Sequence, residues 1–232
     1  MRTLEVHSEM DQDVRKSGTK VLAPGPIYSF VPAHGEAKAD LVAAQFSRTL
    51  SEGFGCSVLL ADFETHPYSV APASTLGAES PLGGMAWHTS ISRRNGHDVL
   101  HARCVDGEQI RPVFEQARKH YSLVCADLSG ASEHAAADVL RASDAIFLIA
   151  SSAWQSLDAV RLKAEWLRSV AVDRRCGLIL WRAPRGAAPL HVEEFAGVPV
   201  CSVVQSDEQI GILADWLATR HDKAARKAQS AA

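Results

Sequence analysis

The chain has 232 residues, 24 Lys and Arg against 27 Asp and Glu, a formal net charge of −3 and 47% hydrophobic residues. That length fits one α/β domain with a full core. The mild acidity, with a sequence pI near 6.4, excludes the overall basic footprint of a DNA carrier; no apolar run nears the ~18 residues of a membrane span.

Residues 1–25 are polar, end on Ala23-Pro24-Gly25-Pro26 and read as a flexible or partner-binding arm ahead of a domain over 26–220. Residues 27–31 (IYSFV) read as a buried strand. A short Gly-containing turn follows, and residues 40–52 then place Val42, Phe46 and Leu50 at i, i+4, i+8, one face of a helix. Gly53 and Gly55 are its stop signals. Residues 56–64 form a hydrophobic strand ending in acid. Residues 67–106, with Pro72, Pro81, Gly83, Gly84 and Gly96, read as an irregular insertion with one short helix around 82–92.

Beyond it, helix patterns at 108–120, 132–141, 156–170 and 207–220 alternate with strands within 121–130 and at 145–150, 177–181 and 198–204. Residues 190–195 are a short helix or loop, and 221–232 a disordered tail. Strands apolar on both faces, alternating with helices, predict a mostly parallel β-sheet flanked by helices on both faces, a three-layer α/β architecture.

The turn between first strand and first helix carries the chemistry. VPAHGEAKAD (residues 31–40) has the outline of a phosphate-binding loop, G-x-x-x-x-G-K-[ST]. Pro32 and Ala37 stand at the two Gly positions, Lys38 is kept, and Ala39 replaces the hydroxyl that would ligate Mg²⁺. Gly35, Glu36 and Lys38 are what remains of the motif. A side chain at a left-handed Gly position costs roughly 1–2 kcal/mol, and Asp40 adds a carboxylate at a helix N-terminus where phosphate wants donors.

With these residues in view, VLLADFE, YSLVCADLSG, SDAIFLIASS, GLILWRAP and GVPVCSVV make the chain resemble the deviant-Walker P-loop ATPases. That group includes the MinD/ParA partitioning proteins and the cytoplasmic domain of bacterial tyrosine kinases (BY-kinases). The resemblance covers residues 26–217. Gly35-Glu36 and the helix running into Tyr121 look closest to the BY-kinase branch.

The resemblance implies that Lys38 meets the β- and γ-phosphates, that Asp62 orients the attacking group or the metal's water, and that Asp127 is the Walker B carboxylate. Against these, the MinD/ParA signature Lys falls on Ala33, and Trp181 replaces the Asn that reads the base. The C-terminal tyrosine cluster of BY-kinases has no counterpart in residues 222–232. Plainer readings stand beside these. Asp62 and Asp127 can be turn residues, Lys38 a solvated helix start, and Trp181 a packed aromatic that fills the pocket. His97 and His101 have i, i+4 spacing but no Cys or carboxylate set beside them, so no metal site is expected; His88 and His120 read as surface residues. Arg168, Arg174, Arg175, Arg182 and Arg185 cluster in sequence and leave a local basic patch open. Five cysteines without C-x-x-C read as reduced thiols.

Together these give an expected degenerate P-loop protein acting as a non-catalytic or weakly nucleotide-binding scaffold or regulator. The resemblance points to bacterial polysaccharide synthesis or export, with a membrane co-polymerase or synthase component as partner. No cofactor, nucleic acid or direct membrane insertion is expected, and the location is cytoplasmic, with recruitment to the membrane's inner face through that partner. Homo- or hetero-oligomers stay open. The alternative is an active ATPase or tyrosine kinase using ATP and Mg²⁺ with unusual metal ligation, or a MinD/ParA-like positioning ATPase, in which Asp62 and Asp127 act.

Overall fold

The computed structural model describes residues 24–35, 37–63, 90–94, 96–102, 107–183, 189–206 and 208–213. In chain order the elements are β1 (Ile27–Pro32), α1 (Ala39–Phe54), β2 (Val58–Asp62), β3 (Ser90–Arg94), β4 (His97–His101), α2 (Gly107–His120) and β5 (Leu123–Asp127). They continue with α3 (Glu133–Ala142), β6 (Ala145–Ala150), α4 (Trp154–Ser169), β7 (Cys176–Trp181), α5 (Pro189–Ala196) and β8 (Val200–Val204). Residues 208–213 are helical.

Eight strands form one sheet in the order β3-β4-β2-β5-β1-β6-β7-β8. Every pairing is parallel except β3 with β4. Alternate residues of the same strand feed opposite layers, as the period of two requires. Ile27, Val31, Leu59, Val124 and Leu148 join an apolar cluster with α2, α3, α4 and α5. Phe30, Leu60, Cys125 and Ile149 join a second cluster with α1, Ile210 and Leu213. Burial on both faces is why these strands read as continuous hydrophobic runs.

Local signals set the helix ends. Val42, Phe46 and Leu50 are the buried stripe of α1, and Gly55 closes the helix in the left-handed conformation at φ 62°, its N–H donating to the Ser51 carbonyl. Ser132 caps α3, its hydroxyl accepting from Ala135 N–H.

One expectation is overturned. Residues 90–94 and 97–101 are a β-hairpin added beside β2, so the 67–106 segment is not wholly irregular, and 90–92 are strand rather than helix. The rest of the helix expected at 82–92 lies outside the described residues, as do the arm over 1–23 and the tail. Gly96, between the two strands, has φ 83°.

The start of β1 is fixed by close backbone approach. Gly25 N–H donates to the Arg118 carbonyl (2.9 Å), and Arg118 Nε donates to the Gly25 carbonyl (2.8 Å). A Cβ on Gly25 would collide with the Tyr121 carbonyl oxygen and lie 2.8 Å from the Ser122 carbonyl carbon. Gly25→Ala should therefore lower the unfolding free energy by about 2 kcal/mol or more. Gly53→Ala, on α1 with nothing within 4 Å of its Cβ, should raise it by about 0.5–1 kcal/mol. Urea melts of the two variants read both signs.

Candidate functional site

The turn from β1 into α1 emerges at the carboxyl end of the sheet, where β1 lies between β5 and β6. Ala33 N–H donates to the Ile149 carbonyl of β6 (3.0 Å), continuing the strand pairing into the loop. Ala37 N–H then donates to the His34 carbonyl (3.0 Å), and Ala39 N–H donates to the Ala37 carbonyl (3.0 Å). Two amides of the loop are thus committed to tight local turns. Lys38 is the exposed N-cap of α1 and makes no side-chain capping bond. Ala39 is fully buried in the apolar cluster that also holds Trp181.

Gly35 does not have a positive φ, and the turns at Ala37 and Ala39 are closed by main-chain hydrogen bonds. Glu36 lies outside the described residues.

His34 and Ser156 supply a contact the sequence did not announce. His34 Nε2 and the Ser156 hydroxyl lie 2.8 Å apart, and the same hydroxyl accepts from Ser151 N–H (2.9 Å). The loop is thereby tied to the first turn of α4.

Asp62 and Asp127 do come together, at paired positions on the adjacent strands β2 and β5. Asp127 is buried, 4% exposed, and one carboxylate oxygen accepts from both Ser129 N–H (3.0 Å) and the Ser129 hydroxyl (2.6 Å). Burial is the main reason its carboxyl is pushed up from 3.8 to about 6; the Ser129 bonds pull it back, while the Asp62 and Asp40 carboxylates raise it further. Asp40 therefore faces the site from α1.

On the far side of Asp62 stands His101, Nδ1 3.9 Å from Oδ2, with the Ser92 hydroxyl 3.2 Å from its Nε2. His97 and His101 share one strand, where four residues span roughly 13 Å, so the helical spacing that suggested a metal pair does not apply. Among the described residues no group of three or more His, Cys, Asp or Glu is placed to hold a metal ion.

Trp181 ends β7 and is buried at 7% exposure. The next residue, Arg182, has φ 51° and packs its guanidinium 5.4 Å from the Trp181 ring centroid. The sequence cluster of arginines is not one patch. Arg174 and Arg175 precede β7 and Arg182 follows it, so the six-residue strand separates them by roughly 20 Å. Arg185 and His88 lie outside the described residues, and His120 is exposed as expected.

No protein-family model matches the chain, and no curated protein matches it. Solved structures do. A ParA family ATPase from Chlorobium tepidum TLS superposes with a TM-score of 0.62 at 18% identity, over 82% of this chain and 88% of that one. A plasmid partition protein from Borrelia burgdorferi gives 0.62 at 12% identity, over 85% of this chain and all of that one. The septum site-determining protein MinD from Pyrococcus horikoshii OT3, solved with Mg-ADP, gives 0.56 at 15% identity, over 82% and 86%. This chain has the ParA/MinD fold. The mostly parallel sheet and its flanking helices, expected from the alternating pattern, are those of this fold. Among the described residues of this ParA/MinD-fold chain, no helix is long and apolar enough to cross a membrane.

Proposed function

We propose that this ParA/MinD-fold chain is a non-catalytic scaffold or regulator that docks onto a protein partner, with a β1–α1 loop unfit to hold a triphosphate. The observation that carries this reading is the closure of the loop on itself. Ala37 and Ala39 N–H groups donate to the His34 and Ala37 carbonyls instead of pointing into an anion cradle. The donor set at the metal position points the same way. Ala39 offers no oxygen, and Asp40 brings a carboxylate close enough to raise the Asp127 carboxyl. The residues present do not fit Mg²⁺-triphosphate.

Trp181, in the same apolar cluster as Ala39, fills the space that the resemblance gives to the nucleotide base. The pathway, bacterial polysaccharide synthesis or export with a membrane co-polymerase or synthase component as partner, rests on the BY-kinase resemblance of the sequence. Recruitment to the inner membrane face through that partner belongs to the same reading.

An active ATPase, kinase or positioning ATPase is the competing reading. The pairing of Asp62 with Asp127 at the carboxyl end of the sheet favours it. A phosphate-release assay with Mg²⁺-ATP separates the two. The scaffold reading expects the same background rate for the unmodified chain and Lys38→Ala. A rate that falls on Lys38→Ala, or on Asp127→Asn, would establish an enzyme.

A further inference from the structure

We infer that the amino end of the sheet, opposite the β1–α1 loop, carries a binding site for a small phosphate-type oligoanion. A cavity of about 590 Å³ opens there beside Ile27, between α2 and the last turns of α3. That volume lies within the usual range for small-ligand sites. Its wall holds four guanidiniums, Arg111, Arg118, Arg141 and Arg175, drawn from α2, α3 and the turn before β7.

Three carboxylates share the wall, and each is engaged by one arginine. Arg111 Nε lies 2.9 Å from Glu115, Arg118 3.2 Å from Asp144, and Arg141 2.8 Å from Asp138. Arg175 is different: its hydrogen bonds go to the main-chain carbonyls of Ser143 and Arg141. Four guanidiniums against three carboxylates leave one positive charge in excess within a chain that is acidic overall. A guanidinium has five donors in a planar fork, and each fork here uses only part of that set. Forks converging from three elements match the tetrahedral oxygens of phosphate, which accept bidentate bonds. Arg118 and Asp144 also hold the start of β1, through Gly25 O and Ile27 N (both 2.8 Å), so this part of the wall is anchored to the sheet.

Titration calorimetry on the full chain at low ionic strength tests the site with two probes, inorganic pyrophosphate and a sugar monophosphate. The unmodified protein should bind at least one of them, and tighter binding of one identifies the free anion or the ester as the source. Arg175→Gln and Arg111→Gln should each weaken binding by about tenfold or more. Arg111 is exposed and its ion pair is with Glu115 on its own helix, so its variant keeps the fold. Lys38→Ala, at the other end of the sheet, should leave the affinity unchanged. Absence of binding to both probes would overturn the assignment. So would loss on Lys38→Ala with the arginine variants unaffected.

Discussion

Asp127→Asn should stabilise the folded chain by about 3 kcal/mol at pH 7 and by almost nothing at pH 4. Asp127 is buried at 4% exposure and its carboxyl is raised from 3.8 to about 6, chiefly by desolvation. The folded state therefore holds this proton more tightly than the unfolded state. Its contribution to stability is fully present below about pH 4, falls as pH rises, and is gone above about pH 6. Asn carries no charge and keeps a carbonyl oxygen for Ser129 N–H and its hydroxyl, so the penalty disappears with little lost. Chemical melts of both proteins from pH 4 to 8 should diverge across that window. A destabilised Asn variant at pH 7 would mean that the ionised carboxylate is held by a cation or donor, as a working ATPase requires.

Rebuilding the loop should create nucleotide binding only when the packing beneath it is also changed. Ala37→Gly with Ala39→Thr returns a glycine and the metal-ligating hydroxyl. Yet the loop must still give up two hydrogen bonds, at about 1 kcal/mol each, and residue 39 is fully buried in the cluster that holds Trp181. The double variant should therefore stay weak toward Mg²⁺-ATP. Adding Trp181→Asn should improve the affinity by about a hundredfold, worth about 3 kcal/mol. Fluorescent-nucleotide titrations compare the three proteins, with melts to verify folding because Trp181 is a core side chain. Micromolar affinity in the double variant alone would remove Trp181 as the obstacle.

The core of the fold was legible because β1, β2, β5, β6 and β7 are buried on both faces, which turns their sequences into unbroken apolar runs. Helix α1 announced itself through the Val42–Phe46–Leu50 stripe, and α3 through the helix pattern over 132–141. The hairpin was not legible by hydrophobicity: SISRR is the sheet's edge strand and HDVLH the strand beside it, and polar side chains interrupt each short apolar signal. Asn95-Gly96 was the signal that could have found it. With the hairpin missed, His101 could not be placed beside Asp62. At the loop, residue types showed the missing glycine and hydroxyl, but not that the Ala37 and Ala39 amides donate to the His34 and Ala37 carbonyls. The pairing of Asp62 with Asp127 was foreshadowed by two strands ending in Asp. The arginine cavity was invisible, because only the topology brings Arg111, Arg118, Arg141 and Arg175 together.

Titration calorimetry of the unmodified chain with Mg²⁺-ATP and Mg²⁺-ADP goes to the central claim. A loop closed on its own carbonyls should give no heat of binding in the micromolar range that depends on Lys38. A micromolar isotherm for either nucleotide, abolished by Lys38→Ala, would contradict it.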